Sequence, residues 1–281
     1  MHVRPVTAIR RLLQHLQVLN SAPDISRPYV TSAPNPQNAL DIFRGEWWTQ
    51  MPEPFSGLSA GEIRLFEDPR VQWALSQLGN VEGQSVLELG PLEGAHTYML
   101  ERAGFKTILS IEANPRAFLK CLVMKEILEL KRCRFVCGDF LAYLHNCPAP
   151  VDAVIACGVL YHMADPVELI GLLSKITRRL FVWTHYYDER MIPQNRNVKR
   201  RFRGNHRAEY GGFEHQVFRY EYGGRLQPAR FCGGPRPYAH WMLREEILGS
   251  LKHFGFQEIQ TSFERPDHPN GPAFAVMAQA G

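Results

Sequence analysis

From residue 85 to residue 185, short apolar runs alternate with amphipathic stretches: SVLELG, AHTYMLERAG, TILSIEA, PRAFLKCLVMKEILEL, RCRFVCGD, FLAYLH, VDAVIACG, DPVELIGLLSKIT and RLFVWTH. The apolar runs end in turn residues, as strands covered on both faces do. Strands separated by helices pair in parallel, because a parallel neighbour is reached only through a crossover, and such crossovers are right-handed in nearly every case. A doubly wound, mainly parallel α/β sheet is expected.

The flanks behave differently. Residues 1–80 read as a helical and irregular extension, with Val6, Ile9, Leu12, Leu13, Leu16 and Leu19 at helical spacing. A Pro-, Ser- and Asn-rich connection follows, and then the aromatic stretch IFRGEWW. A helix through EIRLFEDPRVQWALSQLG restarts at Asp68-Pro69, with Asp68 as N-cap and Gly79 as stop. Residues 186–240 interrupt the alternation with a segment too long for a simple loop, in which FEHQVFRYEY is the strand candidate. The pattern resumes at 241–281 with the helix MLREEILGSLKHFG and two strands, FQEIQTSFER and GPAFAVMAQ.

Charge is uneven. The chain carries +4 overall, but residues 186–240 hold 11 Lys and Arg against 5 Asp and Glu, so the excess is concentrated in the insertion. Such a segment can meet phosphate or carboxylate groups, and a solvated surface gives the same composition. The longest apolar stretches stop well short of the roughly 18 residues that cross a membrane. The N-terminus lacks the apolar core of a secretory signal, although its Arg content without early acids leaves a transit peptide open. The six cysteines sit mostly in apolar runs without the ligand spacing of a zinc site, so a reducing, cytoplasmic setting is expected and no metal.

Ligands of open parallel sheets bind at the carboxyl ends of the strands. The first strand ends in Glu88-Leu89-Gly90-Pro91-Leu92-Glu93-Gly94. Gly90 and Gly94 allow a tight turn and a close backbone approach, while Glu88 places under the loop a carboxylate that can accept from loop amides or a cationic amine. That acid and the absence of Gly-Lys-Ser or Gly-Lys-Thr argue against a phosphate loop. The second strand ends at Glu112-Ala113, where an acid can take both hydroxyls of a ribose. The third ends at Asp139-Phe140, where an adenine can be hydrogen-bonded and stacked.

This ordered set resembles the class I S-adenosylmethionine-dependent methyltransferases, over residues 80–185 and 241–281. The middle glycine of the family loop is here Leu92. The resemblance implies a seven-stranded Rossmann-like methyltransferase sheet whose last strand is antiparallel. It implies S-adenosylmethionine as cofactor, held by Glu88, Gly90, Gly94, Glu112, Ala113, Asp139, Phe140 and Cys157. The segment GVLYHMADP at 158–166 looks like that of the enzymes that methylate or carboxymethylate the oxygen of tRNA wobble 5-hydroxyuridine, and of related small-molecule methyltransferases. In the carboxymethylating branch the tyrosine of this segment touches a carboxylate of the cofactor, which maps onto Tyr161.

His162 and His185 close the fourth and fifth strands, where a neutral imidazole can take a proton from a hydroxyl, or simply bond to backbone. Tyr161, His162 and His185 are therefore the catalytic candidates. Trp47, Arg203 and His215 are the substrate-binding candidates, because methyl transfer needs a dry, closed pocket and the two flanking segments can supply a lid. The reading is O-methylation of a small polar or anionic metabolite. The alternatives are action on tRNA, with the basic insertion on phosphates, and a non-catalytic binding or scaffold protein on the same fold.

Overall fold

A computed structural model describes residues 29–226 and 233–281. The expected N-terminal helix through Val6–Leu19 and Cys232 lie outside the described residues. The first described helix, α1 (Pro36–Asp41), is capped by Asn35 and leads into the aromatic stretch. The next, α2 (Pro69–Leu78), starts where Asp68 accepts the Arg70 amide at 2.9 Å and ends at Gly79, whose φ of 68° needs no Cβ.

The alternating region then follows: β1 (Ser85–Leu89), α3 (Ala95–Ala103), β2 (Thr107–Glu112), α4 (Pro115–Ile127), β3 (Cys133–Cys137), α5 (Phe140–His145), β4 (Ala153–Cys157), α6 (Pro166–Leu173) and β5 (Arg179–His185). After a short α7 (Arg196–Lys199) come β6 (Phe202–Tyr210), β7 (Phe213–Glu221), β8 (Tyr238–Met242), α8 (Arg244–His253), β9 (Phe256–Arg265) and β10 (Ala273–Ala280).

The main sheet has seven strands in the order β3-β2-β1-β4-β5-β10-β9, with β1 to β5 parallel and β10 antiparallel to both neighbours. The order reverses between β1 and β4, the switch point at which ligands of such sheets bind. Side chains alternate across it. Leu87, Leu89, Val154 and Ala156 join the core under α5, α6 and α8, whereas Val86, Ala153 and Ile155 join the core under α1 to α4. No helix among the described residues is long and apolar enough to cross a membrane.

The insertion builds a second sheet, β6-β7-β8. Its hairpin turns on Gly211 and Gly212, both at positive φ, as a two-residue hairpin loop requires. The third strand, β8, runs through residue 240, so the expected end of the insertion falls inside a strand. The His240 amide donates to Met163 O at 2.8 Å and its ring Nδ1–H to Ala164 O at 2.6 Å, which pins this sheet over the end of β4.

Candidate active site

A cavity of about 690 Å³ opens at the carboxyl ends of β1 to β4, within the size range of small-molecule sites. Its floor is the loop after β1. Gly90 has φ of 63°, and a Cβ there would come within 3.3 Å of the Val159 side chain. Leu92, at the family's glycine position, holds φ of 57°, so the chain keeps the left-handed turn with an L side chain. The Leu92 amide donates to Glu112 Oε2 at 3.1 Å, and the Asn114 amide donates to Oε1 at 2.8 Å. Burial pushes the Glu112 pKa up against these amides, leaving its remaining acceptor capacity at the cavity wall. Ala113, Asp139, Phe140 and Cys157 line the same wall. Asp139 also caps α5 through the Leu141 amide.

Two of the expected cofactor residues sit elsewhere. Glu88 is buried beneath the cavity, where it accepts from the Thr97 and Ser110 hydroxyls and from no loop amide. Burial raises its pKa, and its Oε1 has no partner among the described residues. The amides of the two loop glycines are satisfied by carbonyls: Gly90 N–H by Ile111 O and Gly94 N–H by Pro91 O. Gly94 is the N-cap of α3, packed against Phe135 rather than facing the cavity.

At the far end, the 3₁₀ turn Leu160–His162 brings Tyr161 and His162 into the wall. His162 Nδ1 shares a hydrogen bond with the Tyr222 hydroxyl at 2.7 Å, and burial together with the nearby His185 lowers its pKa to about 3. The expected role of His185 as a base at the pocket meets a different placement. It lies behind Tyr161, with ring centroids 4.6 Å apart, stacks on Trp241, and donates Nδ1–H to Gly271 O at 2.8 Å. It is outside the cavity wall.

The three substrate candidates also fall outside this wall. Trp47 is core, its Nε1–H donating to Leu40 O at 2.8 Å, and the neighbouring Trp48 lines the cavity instead. Arg203 is exposed on β6 opposite Glu221. His215 is buried on β7 near the Phe213 carbonyl.

Other residues close the site that strand-end reasoning did not single out. A strap, Gly233–Arg236 with Tyr238, crosses it, and a Cβ on Gly234 would lie 2.5 Å from His162 O. Arg70 and His96 reach the wall from α2 and α3. Asp68, 3% exposed, accepts from Arg70 Nε at 2.9 Å, from Arg70 Nη2 at 2.5 Å and from His96 Nε2 at 2.9 Å. Asp68, His96 and Cys157 bring potential metal ligands within 4.8 Å of one another. Arg70 already engages that carboxylate, and burial pushes the Cys157 thiol up to about 12, so the donor set suits a guanidinium better than a metal ion.

No protein-family model matches the chain, and no curated protein matches it. Solved structures do resemble it. The N-terminal domain of EvdMO1 with SAH bound superposes with a TM-score of 0.67 at 20% identity, covering 87% of this chain and 95% of that one. Against a second structure, of EvdMO1 beyond that domain, the match covers 46% of that chain. Magnesium protoporphyrin IX methyltransferase (ChlM) from Synechocystis PCC 6803 with bound SAH gives 0.53 at 16% identity, covering 86% and 94%. An S-adenosylmethionine-dependent methyltransferase from Clostridium acetobutylicum ATCC 824 gives 0.51 at 12% identity, covering 78% and 92%. The chain has the Rossmann-like methyltransferase fold.

Proposed function

We propose that this protein is an S-adenosylmethionine-dependent methyltransferase acting on an oxygen of a small polar or anionic molecule. The observation that carries the reading is Glu112. It stands at the end of β2, mostly buried, fixed by two backbone amides and open to the cavity beside a left-handed loop. An acid so held can accept the hydroxyls of a ribose, and those donors would favour the charged form that burial disfavours. The chain's residues fit the rest of the cofactor. Gly90 leaves free the space its Cβ would fill, and Asp139 and Phe140 offer an acceptor and a ring for an adenine. Fold neighbours crystallised with SAH support the assignment, and one crystallised in the presence of D-fucose is compatible with a small polar acceptor.

Bound there, the cofactor supplies an electrophilic methyl group on a sulfonium whose thioether leaves readily. The protein's part is then to align the acceptor oxygen and exclude water. Trp48 and the Gly233–Arg236 strap wall the cavity from two sides. His162 is neutral at physiological pH, so it offers hydrogen bonding without competing positive charge. With a pKa that low it orients an acceptor hydroxyl rather than stripping its proton beforehand.

Calorimetric titration with S-adenosylhomocysteine tests the reading. Saturable one-to-one binding is expected, weakened in Glu112→Ala by about 1.5–3 kcal/mol, as for hydrogen bonds to a charged group. A folded protein that does not bind overturns it.

A further inference from the structure

A hydroxyl that takes a methyl group must give up its proton, so O-methylation needs a lone pair in the cavity to receive it. The titratable groups of the wall are largely engaged: Asp139 and Asp165 cap helices, Glu168 meets His145, Glu93 meets Lys120, and His162 holds its Nδ1 on Tyr222. His96 is engaged on one nitrogen only. It is the second residue of α3, behind the loop after β1, and its Nε2 lies 2.9 Å from Asp68 Oδ2. No hydrogen bond ties Nδ1 to any described residue, and the side chain is 13% exposed in the cavity wall. A ring nitrogen lies within 4.8 Å of the Cys157 sulfur, which puts the imidazole in the crevice between the ends of β1 and β4, whereas Glu112 and Asp139 mark the nucleoside end at β2 and β3.

The carboxylate behind His96 fixes its tautomer. Asp68 is 3% exposed, and against that burial the hydrogen bonds from His96 and Arg70 hold its carboxyl well below the usual range. An ionised carboxylate only accepts, so the hydrogen sits on Nε2 and the neutral ring keeps its lone pair on Nδ1. The fork of Arg70 Nε and Nη2 on the same carboxylate holds it in place. We infer that His96 is the general base of the methyl transfer, oriented by Asp68, and that the acceptor is a hydroxyl compound whose proton passes to His96 Nδ1. The inference rests on the methyltransferase reading. As the acceptor oxygen forms its bond to the methyl carbon, the carbon–sulfur electron pair stays on the departing thioether and the O–H proton moves to Nδ1. The positive charge lost from the sulfonium reappears on the imidazolium beside Asp68, and it leaves when the proton passes to water.

Long-range proton–nitrogen correlation spectra of histidine-labelled protein read the tautomer, with His96 identified by the signal that His96→Gln removes. Hydrogen on Nε2 of the neutral ring is expected, and hydrogen on Nδ1 overturns the inference. His96→Gln keeps a donor for Asp68 and gives up the basic lone pair. It should bind S-adenosylhomocysteine as wild type does, yet transfer labelled methyl groups from S-adenosylmethionine to a pool of monosaccharides, hydroxy acids and phenols about 100- to 10,000-fold more slowly. Wild-type turnover overturns the inference, and so does a loss of affinity as large as the loss of turnover, which would make His96 a cofactor ligand. If no compound in the pool accepts a methyl group, diethylpyrocarbonate decides. Acylation of His96, mapped by mass spectrometry, is expected of a ring with an open basic nitrogen, and a His96 that stays inert overturns the inference. His96→Asn replaces His96→Gln if that variant does not fold. A wild type that binds no S-adenosylhomocysteine overturns the cofactor reading instead, while tautomer and acylation still decide whether His96 offers a free basic nitrogen to the cavity.

Discussion

Lys120 Nζ and Glu93 Oε1 meet at 2.6 Å in an ion pair whose side chains are 3% and 0% exposed. Glu93 belongs to the loop after β1 and Lys120 to α4, and Glu93 also accepts the amides of Trp48 and Thr49. Lys120 in turn donates to Glu46 O at 3.1 Å. The second acid of the loop is thus the clamp that fastens the N-terminal aromatic stretch to the cavity floor. Removing one partner of such a pair leaves an uncompensated buried charge, so Lys120→Met should cost about 3–5 kcal/mol in urea denaturation. A loss under about 1 kcal/mol would show that water reaches the carboxylate.

The adjacent tryptophans separate stability from binding. Trp47→Ala removes a fully buried ring and its hydrogen bond to Leu40 O, and should cost about 3–5 kcal/mol. Trp48→Ala keeps the backbone bond to Glu93 and removes only a half-buried wall of the cavity. It should change S-adenosylhomocysteine affinity more than the urea midpoint. The reverse ranking would place Trp48 in the core and leave the cavity without that wall.

The same contrast shows what could be read from the chain before folding. The acids at the ends of β2 and β3 were legible because strand period and turn residues locate a strand end to within a residue or two. Which face of the loop each side chain takes was not. Glu88 turns down to Thr97 and Ser110, Glu112 stays at the cavity, and Trp47 and Trp48 divide between core and wall. Arg70 and His96 come from two different helices and meet only through the packing of α2 on α3, so no spacing announces them. Asp68 was read as a helix cap, which it is, but a cap can hold a guanidinium with its other lone pairs. The mainly parallel seven-stranded sheet with its antiparallel last strand followed from the alternation and the family likeness, whereas the second sheet offered only one strand candidate because its edge strand β6 is mostly polar and exposed.

Gly234 tests the strap. A methyl group there would press on the backbone oxygen of His162 at 2.5 Å, an obstacle that no side-chain rotation relieves. Gly234→Ala should therefore lift the strap while leaving the sheet intact, raising the dissociation rate of S-adenosylhomocysteine in stopped-flow displacement at a nearly unchanged urea midpoint. An unchanged rate would mean that the strap does not cover the bound cofactor.

Two buried histidines draw stability down in acid. Burial, with smaller contributions from neighbouring charges, lowers His162 to about 3 and His185 to about 4 from the ordinary 6.5. Above pH 6.5 both rings are neutral folded and unfolded, and neither affects stability. Below it the unfolded chain takes up protons that the folded chain refuses, so stability falls as pH drops towards the folded values, by about 1.4 kcal/mol per unit for each group. Between pH 7 and 5 the loss should be about 2 kcal/mol for each histidine, read from urea midpoints. His185→Gln keeps a donor for Gly271 O and should remove the His185 share, about 2 kcal/mol over this interval. His162, His240 and His268, all lowered chiefly by burial, carry the histidine part of what remains. Glu88 and Glu112, whose carboxyls burial pushes up, act with the opposite sign as pH falls, so the test is the difference between wild type and His185→Gln: equal slopes would mean that the His185 ring is hydrated and that Tyr161 lacks its dry backing.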